Sequence, residues 1–381
     1  MTEPAGLRLA VVSDAVYPWN KGGKEMRYHE LLRRTAELGI HVDVYTMNWW
    51  RGDGPVVREG ITYHAISPYV PLYAGDRRSI RQALVFSVMT LRMLFRRFDV
   101  LEADVIPFLQ VFPLRLVATL RRKPYVVTWH EFWGRDYWVQ YLGRKGYLAA
   151  FLEALAIRLP DRIVAASQGT AERIREAAGP RRPVNLTVVP NGIDPKEIAA
   201  AGPAREPVDL LFVGRLLRHK NGHLLLDAMA RLREQGHDLT ALVVGQGPEE
   251  ERLRTQAAEL GLSAKVGFPG SIPERADLLA ALSSASVLAF PSVREGFGMV
   301  ALEALACGCP VVTTDHPDNF ARELIEPGVN GELCQATADS LAAALLRALE
   351  HRDRLGAAAR RSAAAYEWDT LAAAVVEVYR A

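Results

Sequence analysis

The chain has 381 residues, 49% of them hydrophobic and 24% charged, with 46 Lys and Arg against 44 Asp and Glu. That length makes two domains the expectation, and the composition excludes a disordered chain. A net charge of +2 excludes a chain-wide polycation or polyanion, yet residues 1–180 carry +7 and the remainder −5, so the first half either suits an anionic surface or substrate or merely scatters solvated arginines.

The N-terminus is acidic and runs straight into a strand-like segment, which is not the pattern of a secretory signal. Residues 7–14 (LRLAVVSD) read as a buried parallel strand. A loop with Pro18, Gly22 and Gly23 follows, then a helix over 24–38 stopped by Gly39. Further strands are expected at 41–47, 99–104, 125–130, 162–167 and 186–190. Residues 83–91 (ALVFSVMTL), flanked by Arg78, Arg81, Arg92, Arg96 and Arg97, have about half the length of a membrane span. They predict a core helix of the first domain, with an interfacial helix as the alternative.

Residues 190–207, rich in Pro, Gly and Ala, read as a linker. The cadence then restarts, with strands at 209–216, 239–247, 264–270, 286–292 and 309–315 and helices at 222–235 and 248–260. The fold class is α/β, with two doubly wound, Rossmann-like units in tandem. Ligands of such sheets bind beyond the carboxyl ends of the strands, which predicts a site in a cleft between the domains. Cys307, Cys309 and Cys334 have neither disulfide-framework nor zinc spacing and are expected as small core residues in a reducing, cytoplasmic setting.

The most informative stretch is 291–315, PSVREGFGMVALEALACGCPVVTTD. Glu295 precedes Gly296, Phe297 and Gly298, and a helix is expected from about 298 to 307. Glycines at a helix start let a ligand approach the main chain, and the unpaired first-turn amides favour an anion. Glu303 follows Glu295 by eight residues, on that helix. Two carboxylates bridged by an anion site fit a sugar, a diphosphate and a ribose in that order. The plain alternative is a helix N-cap with a solvated glutamate.

This stretch resembles the signature of glycosyltransferase family 4, a group of retaining, nucleotide-sugar-dependent enzymes of the GT-B fold. Other landmarks follow in order: SDAVYPWNKGGKE at Gly22 and Gly23, VVTWHE at His130, VVPNGID at Asn191, Gly192 and Asp194, FVGRLLRHKN at Arg215 and Lys220, and a final helix over 366–379. The resemblance implies a GT-B fold, two Rossmann-like domains facing across a cleft. Residues 1–190 would bind the acceptor and 191–365 the nucleotide sugar, and a helix over about 366–381 would pack back on the first domain.

The resemblance also implies roles. Arg215 and Lys220 would face the leaving diphosphate, whose growing charge fixed cations stabilise. Glu295 would hold the hydroxyls of the transferred sugar and Glu303 those of the ribose. Gly22, Gly23, Gly296, Phe297, Gly298 and Met299 would line the donor, and Ser271 and Ile272 would hold the base. His130 would contact the donor sugar. No cofactor is implied beyond the nucleoside-diphosphate sugar as co-substrate, no metal is required, and the sequence has no Asp-x-Asp pair. The resemblance implies retention by same-face substitution, and none of the loop carboxylates Asp14, Glu25, Glu131 and Asp136 sits in a nucleophile motif that a double displacement would need.

Acceptor candidates are aromatic: Trp49 and Trp50 after one strand, and Trp133, Tyr137 and Trp138 near His130. Exposed rings stack on sugars or apolar groups, although bulky loops also pack on cores. The expected reaction moves a hexosyl group from a UDP- or GDP-sugar to a hydroxyl of a glycan, glycolipid or small molecule. An epimerase or phosphorylase on the same fold, or a non-catalytic nucleotide-sugar-binding subunit, are the alternatives. Nucleic acid is not an expected partner. Peripheral membrane contact through the basic N-terminal domain would place the protein at the inner membrane surface.

Overall fold

The computed structural model describes residues 6–52, 54–74, 77–106, 108–202 and 206–381. The acidic N-terminal tip and residues 203–205 of the expected linker lie outside these. The chain divides into two compact units, Met1–Asn191 with Trp368–Ala381, and Gly192–Glu367.

The first unit is built on strands β1 (Arg8–Val12), β2 (His41–Met47), β3 (Val56–Arg58), β4 (Ile61–Ser67), the short pair β5 (Tyr73–Ala74) and β6 (Arg77–Arg78), then β7 (Val100–Asp104), β8 (Tyr125–Trp129), β9 (Arg162–Ala165) and β10 (Leu186–Val188). Its helices are α1 (Gly23–Glu37), α2 (Ile80–Met89), α3 (Val111–Arg121), α4 (Gly134–Leu142), α5 (Gly146–Ala156) and α6 (Gln168–Ala178). The main sheet runs β10-β9-β8-β7-β1-β2-β4-β3. All its pairs are parallel except β3 with β4. The chain proceeds from β1 in one direction and returns to its other side at β7, so the switch point lies between β1 and β7.

The β3–β4 hairpin was not expected. Its signal is in ITYHAIS and in Glu59-Gly60, which turn at φ 47° and 77°, the two-residue geometry that matches strand twist. The helix over 83–91 also differs from expectation. In α2, Gln82, Phe86 and Ser87 are buried, whereas Ile80, Leu84 and Val88 are exposed. Only one edge of this helix enters the core. Arg78 does not belong to the solvated fringe, because it bonds the buried Asp14 carboxylate at 2.8 Å.

The second unit contains β11 (Val208–Val213), β12 (Ala241–Val244), β13 (Val266–Gly270), β14 (Ala285–Phe290), β15 (Val311–Thr314) and β16 (Gly331–Cys334). Its helices are α7 (Pro195–Ala201), α8 (Gly222–Glu234), α9 (Glu250–Glu259), α10 (Arg275–Ser284), α11 (Met299–Cys307), α12 (Ala338–Glu350) and α13 (Arg352–Ala363). The all-parallel order is β13-β12-β11-β14-β15-β16, with its switch point between β11 and β14. Leu210 and Phe212 of β11 join one core cluster and Leu211 and Val213 the other. Helices cover both faces, which is why the strand reads as an unbroken apolar run. The three cysteines are free and buried.

The last helix, α14 (Trp368–Arg380), belongs to the first unit. It packs along α1, where Arg34 pairs with Asp369. The Tyr379 hydroxyl bonds the buried Glu102 carboxylate, and Arg162 donates to the Val378 carbonyl at 3.0 Å. Among the described residues no helix is long and apolar enough to cross a membrane.

Candidate functional site

In the second unit, β11 is followed by Gly214 and Arg215, and a 3₁₀ turn, Arg218–Lys220, leads into α8. The Val293 amide bonds the His219 carbonyl at 3.0 Å, and the Asn221 side chain donates to the Pro291 carbonyl at 3.0 Å. These bonds stitch the turn to the loop after β14, and Lys220 pairs there with Glu295. Both side chains are largely buried, at 17% and 10% exposure. The ammonium also lies over the Phe290 ring at 5.4 Å, a favourable cation–π placement. The predicted cation and carboxylate thus meet at the switch point of their sheet.

The loop continues through Gly296 to α11. Gly298 caps that helix at φ 92° with no side-chain bond to its first turn, a helix start of the kind that favours an anion. A Cβ at Gly298 would sit 2.5 Å from the Ala321 Cβ, so the turn requires glycine. Met299 and Val300 are half-buried. The Phe297 ring is turned into the core against Tyr366, which leaves only its main chain for a ligand.

Glu303 is buried on α11 and accepts from Arg275 at 2.6 Å. Burial pushes its carboxyl above the ordinary range, and the Arg275 charge pulls it back only in part. Arg275 also bonds Glu197 of α7 at 2.7 Å. Sequence reasoning missed this arginine, since nothing in the spacing of 275 and 303 signals a contact between two helices.

Arg215, exposed, lines a pocket of about 510 Å³ with Gly214, Gly245, Gln246, Ser271 and Ile272. The glycines make that pocket. A Cβ at Gly245 would lie 1.8 Å from the Gly214 carbonyl oxygen, and one at Gly247 would lie 2.4 Å from that of Leu216. The sequence signal for this pocket wall is GQG, Gly245 to Gly247, directly after an apolar strand.

In the first unit, Gly22 caps α1 with no side-chain bond to the first turn, and Gly23 begins the helix. Lys24 anchors that turn, reaching Asp14 at 2.9 Å and Asp104 at 3.0 Å. Ser13 and Gln110 also bond Asp104, and Gln82 bonds Asp14 at 3.0 Å. Burial alone would lower the ammonium pKa, but Asp104 and Asp14 outweigh it and raise the pKa. The glycine turn is therefore clamped to the ends of β1 and β7.

His130 follows β8, with Tyr28 edge-on at 5.7 Å. Its Nε2 is buried with no hydrogen-bond partner among the described residues. Burial, then the charges of Arg27 and Lys24, hold its pKa well below the ordinary value, so it is a neutral imidazole at pH 7. Beneath it Glu102 accepts from Thr128 at 2.6 Å and Tyr28 at 3.1 Å. Arg27 bonds the Val189 and Pro190 carbonyls at 2.6 Å and Asn191 Oδ1 at 3.1 Å.

The aromatic candidates are half-buried rather than freely exposed. Trp133 meets Tyr137 and Trp138 at 4.5 Å, and Trp50 meets Trp19 at 5.1 Å. Trp49 donates to the Asp14 carbonyl at 2.9 Å, so it packs on the same strand end as Lys24. Among the described residues no cluster of three or more His, Cys, Asp or Glu side chains is set to hold a metal ion.

Comparison with known proteins covers both units. The family model described as glycosyl transferases group 1 matches residues 193–368, and that described as glycosyltransferase family 4 matches residues 21–197. A D-inositol 3-phosphate glycosyltransferase of Geodermatophilus obscurus is 32% identical over 414 residues, covering 94% of this chain and 85% of that protein. A glycogen synthase of Mycobacterium tuberculosis is 34% identical over 238 residues, 60% of this chain, and the match spans 56% of the synthase's own length. The Anabaena protein HepE, solved with UDP and glucose, superposes with a TM-score of 0.73 at 20% identity, covering 98% of this chain and all (100%) of that one, which shows a shared fold of the GT-B type. The two family models meet at the boundary between the units and together account for nearly every landmark above, so the chain belongs to glycosyltransferase family 4.

Proposed function

We propose that the protein is a retaining glycosyltransferase that moves a hexosyl group from a nucleoside-diphosphate sugar to a hydroxyl of a glycan, glycolipid or small-molecule acceptor. The observation that carries this reading is the Lys220–Glu295 pair at the β11/β14 switch point, on the strand that also opens into the glycine-walled pocket. An ammonium held by a carboxylate is preorganised, so it meets the charge that develops on a departing diphosphate without reorganising. Glu295 then turns its remaining acceptor capacity to the sugar hydroxyls, and a hydrogen bond to a charged group is worth about 1.5–3 kcal/mol. Arg215 adds a second cation at the pocket, the α11 amides bind the diphosphate, and Glu303 takes the ribose.

The first unit binds the acceptor. His130, neutral, hydrogen-bonds a hydroxyl of the donor sugar. The leaving phosphate oxygen deprotonates the acceptor on the face it leaves, which retains configuration without a protein nucleophile or a metal. HepE was solved with UDP and glucose, and the Geodermatophilus relative is named for an inositol phosphate. The first favours a UDP-sugar donor and the second a phosphorylated polyol as the acceptor. The buried free thiols suit a reducing cytoplasm.

The test is donor turnover with UDP-, GDP- and ADP-hexoses, read as release of nucleoside diphosphate, with the anomeric configuration of the product followed by NMR. Lys220→Ala and Glu295→Ala should each lose about 10²–10³-fold in kcat while remaining folded, as circular dichroism would show. Near-normal rates in both would remove the assignment, and interconversion of donors without transfer would make the protein an epimerase.

A further inference from the structure

We infer that the face formed by α2, α3 and α5 of the first unit docks on an anionic phospholipid bilayer. This goes beyond the transfer reaction and does not rest on it. Ile80, Leu84 and Val88 recur every four residues, and all three are more than half exposed, so they form one stripe along α2. Leu116 and Leu120 do the same on α3, and on α5 Leu148 and Phe151, three apart and more than half exposed, are joined by the less exposed Leu155. Other residues of the same helices share one apolar cavity of about 340 Å³, lined by Leu84 and Val88 of α2, Phe112 and Pro113 of α3 and Leu152 of α5, with Leu91. Phe95, in the 3₁₀ turn after α2, is 86% exposed. Single exposed apolar residues need no explanation, but exposed apolar stripes on three helices that share one apolar groove mark a contact surface.

The charge around this surface selects the partner. Residues 77–98, 105–130 and 137–152 contain no Asp or Glu. Arg81, Arg92, Arg96, Arg97, Arg121 and Arg122 are exposed at its margin, as are Arg144 and Lys145 before α5. A second copy of the chain would meet this face through its own identical face and bring the two cationic rims together. A bilayer with anionic headgroups instead neutralises the rim while acyl chains receive the stripes. The helices are too short to span, so they would lie in the interface.

The experiment is cosedimentation of the full chain with vesicles of phosphatidylcholine alone and of phosphatidylcholine mixed equally with phosphatidylglycerol, at low and high salt, without donor. Strong binding is expected only to the mixed vesicles at low salt. Arg96→Gln with Arg97→Gln should weaken it about 25-fold, at roughly fivefold per cation. Leu84→Ser with Phe151→Ser should weaken it at least about tenfold. All four side chains are exposed, so circular dichroism and the melting point should stay unchanged, as should hydrolysis of a soluble donor. The proposal is overturned by absence of binding, by equal binding to both vesicle types, or by light scattering that shows a concentration-dependent dimer abolished by the Leu84/Phe151 pair of substitutions.

Discussion

Arg275→Gln isolates the buried pair that supports Glu303. The Glu303 side chain is 5% exposed and its partner 27%. Removing the guanidinium strands a carboxylate that water scarcely reaches, a change that costs about 3–5 kcal/mol in fully buried pairs. The loss has a ceiling, because the carboxyl can take up a proton. Neutralising a group with an ordinary pKa near 4.3 costs about 1.36 kcal/mol per pH unit, hence about 3.7 kcal/mol at pH 7 and about 1 at pH 5. Partial access of water at Arg275 brings the expected deficit at pH 7 to roughly 2–3 kcal/mol. The half-open Glu197 contact adds little.

The sign follows from linkage. Glu303 already has a folded-state pKa above its unfolded value, through burial first and despite Arg275. Below the unfolded value both states hold the proton. Above it the unfolded state releases its proton first, and stability falls as pH rises. Arg275→Gln raises the folded value further, so the deficit against wild type should grow from pH 5 to pH 8. Urea denaturation of the two proteins across that range measures it. At pH 7 a fall of about 4–12 °C in the melting point of the second unit should accompany it. In Arg275→Gln/Glu303→Gln the two losses should not add. A deficit that is flat with pH, or that grows toward acid, would refute the reasoning.

Two further outcomes are expected. Gly245→Ala places a methyl group 1.8 Å from the Gly214 carbonyl oxygen; it should destabilise the second unit by at least about 2 kcal/mol and abolish calorimetric binding of the nucleoside diphosphate that the proposed function assigns to this unit, and a variant with unchanged melting and affinity would show that the strand ends do not need this glycine. In the first unit burial raises the Asp43 carboxyl, but the hydrogen bond from His64 and the charge of His41, together with Arg8, hold it below its ordinary value. That stabilisation is present above about pH 3.9 and is lost as pH falls through the lower folded value, so Asp43→Asn should show a shallower acid limb than wild type in urea midpoints at pH 5 and pH 3. Parallel limbs would dismiss the contribution.

The α/β cadence was legible because each parallel strand buries both faces and therefore leaves a continuous apolar run, as in Leu210 to Val213. Gly39 and Gly298 were legible because their positive φ, 85° and 92°, is a local demand on one residue. The family landmarks likewise sit at strand ends and helix starts, where a few neighbours in the chain set the geometry. The β3–β4 hairpin also has a local signal, the alternating pattern of ITYHAIS and the Glu59-Gly60 turn.

What spacing along the chain determined was thus the order of elements, the glycine turns and the residues offered at each strand end. Only the tertiary structure decided which of those residues touch. Lys220 and Glu295, 75 positions apart, pair because β11 and β14 are neighbours in the sheet. Arg275 and Glu303 pair because α10 lies against α11. Glu102 finds Tyr379, 277 residues away, because the last helix returns to the first unit. The outward half of α2 was hidden for the same reason: an apolar helix reads alike whether one face or all of it is covered, and the covering is supplied by the elements that pack beside it.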